Sequence, residues 1–149
     1  MEKKILMCGS ELSVKGGMVS VIKNYLGYDN WKRHSVLYVP THTEKNKVVV
    51  ALYFLVAYIK IVWLALTKKI SLAYLHTAEK GSFYRKSMIV RTLKHFGIPA
   101  IMHHHAAEFE AFYSSLSEKG KKYVSDTLTL ADTNIVLSKT LIPMITEKA

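Results

Sequence analysis

Cysteine is almost absent from this chain of 149 residues, and the one copy, Cys8, excludes an intrachain disulfide. It sits in the apolar run Ile5-Leu6-Met7-Cys8, where it is expected to pack as a small apolar side chain in a reducing, cytoplasmic compartment. Proline is scarce too. Pro40, Pro99 and Pro143 fall at predicted strand edges or early in the last helix, and no Pro/Gly/Ser linker, repeat or low-complexity tract divides the chain. Residues 1–149 are therefore read as one compact domain. A signal sequence is not expected, because only four apolar residues follow Met1-Glu2-Lys3-Lys4 before Gly9-Ser10-Glu11.

Acidic residues are the next shortage. Eleven Asp plus Glu stand against 21 Lys plus Arg, a net charge of +10 that favours an anionic partner. Nucleic acid, anionic lipid and phosphorylated substrates all qualify, although Lys119, Lys121 and Lys122 fit a plain solvated helix face. Two phosphate-binding fingerprints are missing. The chain has no G-x-G-x-x-G, and its second strand ends in Tyr38-Val39-Pro40-Thr41 with no acid to hold a ribose, which disfavours a dinucleotide dehydrogenase. The absence of G-x-x-x-x-G-K-[ST] removes a P-loop NTPase.

What is present is an alternation of short apolar runs with longer helical stretches, the pattern of a parallel sheet covered by crossover helices. Strands are expected near 4–8, 34–39, 71–76, 99–104 and 133–137. Helices are expected near 17–27, 46–69, 82–96, 107–114 with 117–131, and 138–148. The fold class is thus α/β, a Rossmann-like three-layer αβα domain with a mainly parallel sheet. Val48 to Leu66 is apolar apart from Lys60 and long enough to span a bilayer. Spanning would separate the first two strands from the last three, so a buried crossover helix is the expectation, with Asn46, Tyr53, Ala57, Lys60, Leu64 and Thr67 forming a narrow stripe of relative polarity. The apolar arc is wider than one sheet face needs. Lys45, Lys47, Lys68 and Lys69 cluster at its ends, pointing to contact with an anionic membrane surface or a second domain.

Ligands of open parallel sheets bind at the carboxyl ends of the strands. After the first strand, Gly16 and Gly17 open a helix and let a phosphate approach bare backbone N–H groups; a plain tight turn is the competing reading. After the third strand, Ser82 is a candidate N-cap, and Lys80, Arg85 and Lys86 surround that helix start as candidate anion or acceptor contacts. After the fourth come His103-His104-His105 and Glu108. Alternation along a strand puts His103 and His105 on one face and His104 on the other, so these three are not expected to share a metal ion. His105 could hydrogen-bond a sugar hydroxyl or phosphate, with Glu108 orienting it; a structural histidine is the alternative.

Together these loops resemble the N-terminal domain of the GT4 family of retaining glycosyltransferases, which have the GT-B architecture of two facing Rossmann-like domains. The matching segments, in order, are Gly16-Gly17-Met18-Val19, Gly81-Ser82-Phe83-Tyr84-Arg85-Lys86, Gly97-Ile98-Pro99-Ala100 through His105 into Glu108-Phe109, and Ala131-Asp132-Thr133-Asn134-Ile135-Val136-Leu137-Ser138. The resemblance implies that Gly16 and Gly17 lie near the donor diphosphate and His105 near the transferred sugar, with His105 and Glu108 as catalytic candidates. It implies a nucleotide-diphosphate sugar as donor, a polysaccharide or lipid-linked acceptor, retention of configuration, and no metal or other cofactor. Family members commonly have His-Gly where this chain has His105-Ala106, and alanine disfavours a positive φ. The family's nucleotide-sugar contacts lie in a C-terminal domain, so residues 1–149 are expected to be inactive alone and to act peripherally at the inner face of the plasma membrane. Two other readings stay open. One is a non-catalytic basic module for anionic membrane or a partner protein. The other, nucleic-acid binding, is suggested by Phe83-Tyr84 beside Arg85-Lys86 but lacks a recognised motif.

Overall fold

The computed structural model describes residues 3–149, with Lys32 described by its backbone alone; Met1 and Glu2, at the charged start, lie outside the described residues. The short apolar runs form five strands: β1 (Lys4–Ser10), β2 (Val36–His42), β3 (Ile70–Thr77), β4 (Ala100–His104) and β5 (Thr133–Val136). Between and after them lie α1 (Gly17–Gly27), α2 (Asp29–Lys32), α3 (Lys47–Leu66), α4 (Gly81–His95), α5 (Phe109–Ser114), α6 (Glu118–Leu130) and α7 (Leu141–Lys148). Every strand pair is parallel, in the order β2-β1-β3-β4-β5. This is the Rossmann-like αβα architecture. The single turn α2 was not expected from the sequence, and the helix anticipated from residue 107 begins at Phe109.

Strand order decides which helix covers which face. The connection from β1 to β2 runs one way along the sheet and all later crossovers run the other way. Right-handed crossovers then put α1 on one face and α3, α4 and α6 on the opposite one. The core is divided accordingly. Leu6, Cys8, Ala73, Leu75, Ala100 and Met102 pack under α3, α4 and α6, whereas Met7 and Tyr74 pack under Ile22 and Tyr25 of α1. Cys8 is fully buried, and burial pushes its thiol pKa up to about 12, as befits an inert small apolar side chain. Pro40 is tolerated inside β2 because β2 is an edge strand.

Two contacts lock the ends of this arrangement. Asp132, in the loop before β5, accepts from the Ala100 backbone N–H at 2.8 Å and pairs with Lys94 of α4 at 2.8 Å, which holds its carboxyl pKa down. On α6, Lys121 and Lys122 pair with Glu118 and Asp126, each at 2.9 Å, in keeping with an exposed, solvated face.

Helix α3 departs from expectation in the face it turns to water. Ala57, Ile61, Leu64 and Ala65 are buried on the sheet, so the stripe through Ala57 and Leu64, expected to supply the polar side, is in part the buried one. The face left open is apolar. The amide of Asn46 explains where the helix starts, since its Oδ1 accepts from Val49 N–H at 3.0 Å.

Gly9, near the end of β1, is required by close packing. A Cβ there would overlap Ile22 Cδ1 of α1 and come within 2.9 Å of the Tyr38 hydroxyl. Gly9→Ala is expected to destabilise the domain by about 1–3 kcal/mol through overpacking, read as a lowered midpoint in denaturant unfolding. An unchanged midpoint would show that α1 moves away from β1 without cost.

Candidate functional site

The strand order reverses between β1 and β3, and the loops on either side of such a reversal splay apart to leave a crevice at the carboxyl edge of the sheet. Here that crevice is a cavity of about 480 Å³. Lys15, Gly16, Gly17, Ser82, Arg85 and His105 all line it, together with His42 from the end of β2 and Leu137 from beyond β5. Five strand ends thus contribute to one space. Five of the positions singled out from separate loops of the sequence, Gly16, Gly17, Ser82, Arg85 and His105, converge here.

The α1 side of the cavity is bare backbone. Gly16, the N-cap residue, has φ 150°, a region open essentially to glycine, and no side chain caps the helix. The first turn of α1 contains no acidic residue, and a Cβ built on Gly16 or Gly17 meets nothing within 4 Å. The free N–H groups and positive end of the dipole are therefore open to an anion.

The opposite wall is cationic and polar. Arg85 is partly buried, lowering its pKa, and among the described residues it has no carboxylate partner. Its Nε is buried with no hydrogen-bond acceptor. Lys15 is exposed at the rim. Ser82 does not cap α4: the helix begins at Gly81 with Lys80 at the cap position in a positive-φ conformation, and the Ser82 hydroxyl instead accepts from Ala78 N–H at 3.1 Å. That bond ties the β3–α4 loop across the cavity wall. Lys80 points to solvent and does not line the cavity. Lys86, expected at the exposed helix start, is instead buried beside Cys8, and burial lowers its pKa to about 7.

The histidines sort by strand alternation. His104 faces α4, stacking near Phe83 and bonding Asn134 Oδ1 at 2.9 Å. His103 and His105 lie on the α1 face with ring centroids 4.5 Å apart. Sequence reasoning missed the residue that holds His105 in place. Glu108, proposed for that role, is exposed at the cap of α5, where its backbone N–H donates to Glu79 Oε1 at 3.0 Å. His105 Nε2 is hydrogen bonded at 2.9 Å to Nδ1 of His76, the penultimate residue of β3. The strand register makes this contact: His76 and His103 occupy matching places near the ends of adjacent strands and pair directly in register. Tyr74 completes the row, its hydroxyl 3.0 Å from His103 Nδ1.

Burial lowers the pKa of all these imidazoles, His76 to about 3 and both His104 and His105 to about 4, and the neighbouring histidines add to the effect. They are neutral at pH 7, and neutral His105 offers a hydrogen bond at the cavity wall rather than a charge. His76, His103 and His105 also bring one nitrogen each within 4.8 Å of one another. Nitrogens around a tetrahedral zinc ion stand about 3.4 Å apart, given Zn–N bonds of about 2.0–2.1 Å. In this fold the rings are stacked, and two of the nitrogens engage each other, so the cluster would have to close and reorient to take an ion. Ala106 keeps a negative φ and is buried, so the loop after His105 is built without a glycine conformation.

Fold and cavity define the chain as a Rossmann-like α/β domain with a crevice at its switch point in which Lys15, Arg85 and His105 stand among apolar side chains. The chain matches no protein-family model and has no significant match among the curated proteins.

Two measurements check this geometry. A histidine whose folded pKa lies below its unfolded value near 6.5 contributes stability that is full above that value and is lost as pH falls through the folded pKa. The melting temperature is expected to fall between pH 6.5 and about 3, and His76→Asn is expected to make that fall shallower; parallel profiles would show that His76 is charged in the folded state. Separately, Gly16→Ala is expected to cost about 1–3 kcal/mol from the strained φ, whereas Gly17→Ala leaves the unfolding midpoint unchanged or slightly raised.

Proposed function

We propose that this chain is the acceptor-side half of a two-domain glycosyltransferase, which transfers a sugar from a nucleotide-diphosphate donor with retention of configuration. The observation that carries the reading is the sharing of one cavity by an uncapped helix N-terminus, an Arg85 with no carboxylate partner among the described residues, and a neutral His105. Such a site suits a ligand with a phosphate at one end and hydroxyls at the other. Backbone N–H groups of α1 would stabilise charge developing on the departing diphosphate, with Lys15 and Arg85 adding to the local positive field. His105, oriented by His76, would hydrogen-bond the transferred sugar. Lys80 and Glu108 lie outside the cavity in this arrangement, so neither is assigned a role in the reaction. The proposed donor-binding domain would close over the crevice and supply the contacts to the nucleotide. Nothing in the reading requires a metal ion.

The test is release of nucleoside diphosphate from a panel of nucleotide sugars by the chain joined to its donor-binding domain. Substituting His105 by alanine is expected to lower turnover about 10²–10⁴-fold while changing the melting temperature little. Near wild-type turnover would make His105 structural. A non-catalytic module would bind anions in the same cavity and release no nucleoside diphosphate from any donor.

A further inference from the structure

The open face of α3 is the least expected surface of the molecule. Val48, Leu52, Val56, Ile59, Trp63 and Leu66 are each 52–69% exposed. Their spacing of four, four, three, four and three residues aligns them as one ridge along the helix. The helix contains no acidic residue. A ridge of this length on a water-soluble surface marks a contact with something apolar.

Crossing a bilayer is not the way this ridge is satisfied. The residues on either side of α3 belong to β2 and β3 of one sheet, and its other face is packed on that sheet through Ala57, Ile61, Leu64 and Ala65. The Tyr58 hydroxyl is also bonded to Thr92 of α4 at 2.5 Å. The helix lies along the domain, so an apolar medium must meet it side-on.

Charge identifies that medium. Lys45 and Lys47 precede the ridge, Lys60 flanks it, and Lys68 and Lys69 follow it, all in a chain of net charge +10. The Lys69 ammonium lies 4.1 Å from the centre of the Trp63 ring, an aromatic–basic pairing suited to the boundary between acyl chains and headgroups. A second copy of the chain would not complement this pattern. Two ridges packed against each other would bring lysine clusters together whether the helices ran parallel or antiparallel. Anionic lipid satisfies both features at once, with acyl chains for the ridge and phosphates for the lysines.

We propose that α3 is an interfacial membrane helix, lying parallel to an anionic bilayer with its ridge among the acyl chains and its flanking lysines on lipid phosphates. An apolar groove of about 440 Å³ opens onto the ridge between α3 and the end of β2, lined in part by Val39, Pro40, Leu52 and Val56, and gives one chain a seat. Two residues beyond Pro40, His42 lines the cavity at the switch point. The membrane contact deepens the transferase reading by placing a lipid-linked acceptor beside the crevice, but the contact itself stands without that reading. Its salt dependence also differs from that of a purely basic surface. Salt weakens the lysine contacts while the inserted ridge continues to hold.

The chain has two tryptophans, so Trp31→Phe leaves Trp63 as the sole reporter. This protein is mixed with vesicles of phosphatidylcholine alone or with added phosphatidylglycerol, some carrying brominated acyl chains. Binding is followed by flotation and by Trp63 emission. The expected result is a blue shift with bromine quenching on the anionic vesicles, with flotation reduced but not abolished in high salt. Val56→Asp with Ile59→Asp, both on the exposed face, is expected to weaken binding by about tenfold or more while circular dichroism stays unchanged. If Trp31→Phe fails to fold, the difference between wild type and Trp63→Phe gives the same reading. Flotation without bromine quenching, or complete release in high salt, would overturn insertion. Absence of vesicle binding with a concentration-dependent dimer that Ile59→Asp dissolves would overturn it in favour of self-association. Nucleoside diphosphate release is read separately, so failure of one proposal is distinguishable from failure of the other.

Discussion

The right-handed crossover is the constraint on which the rest of this structure depends. With β1 and β3 adjacent at the centre of the sheet, the chain must leave β1 toward one edge and leave β3 toward the other. That single reversal sends α1 to one face and α3, α4 and α6 to the opposite one, and it parts the loops between them. The cavity is a consequence. Gly16 and Gly17 come to it from one side, Ser82 and Arg85 from the other, and His105 arrives from the next strand along. Gly9 supports the same geometry from below by letting α1 approach β1 closely.

Electrostatics at the carboxyl edge follow from burial more than from net charge. The domain carries a large positive excess, yet the histidines closest to the cavity are held neutral because they are stacked on one another and shielded by Tyr25 and Tyr74. Lys86, buried next to Cys8, is likewise pushed toward its neutral form. Positive charge at the crevice is left to Arg85 and Lys15, both without carboxylate partners among the described residues, and to the dipole of α1. An anionic group entering there would meet fixed dipoles and unpaired guanidinium and ammonium groups, flanked by a neutral imidazole.

Helix α3 shows how one element can be apolar both on its packed face and on its exposed face. Small and branched side chains, Ala57, Ile61 and Ala65, let it settle against the sheet, so its larger apolar residues are free to point away. Its hydrophobic content is therefore a poor guide to its burial. Only about a fifth of its most apolar window, 22%, is buried in the domain. Among the described residues none of the lysines at its ends forms an ion pair, and Lys69 lies over the Trp63 ring instead.

The sequence by itself determined the fold class, the five strands and their approximate limits, because alternation of apolar runs with helical stretches has few physical solutions other than a parallel sheet with crossovers. It also determined that His103 and His105 share a face apart from His104, since side chains alternate along any strand. Tertiary structure alone decided the rest. That His76, not Glu108, holds His105 depends on the register between β3 and β4, which no local pattern encodes. Lys86 left the surface because it lies on the face of α4 that packs on the sheet beside Cys8, and Ser82 is not the cap because the helix already begins at Gly81. The face that α3 turns outward depended on which side fits the sheet. A helix apolar nearly all round carries no periodic signal of its own, and packing against Leu37 and Val39 of β2 and the neighbouring core made the choice.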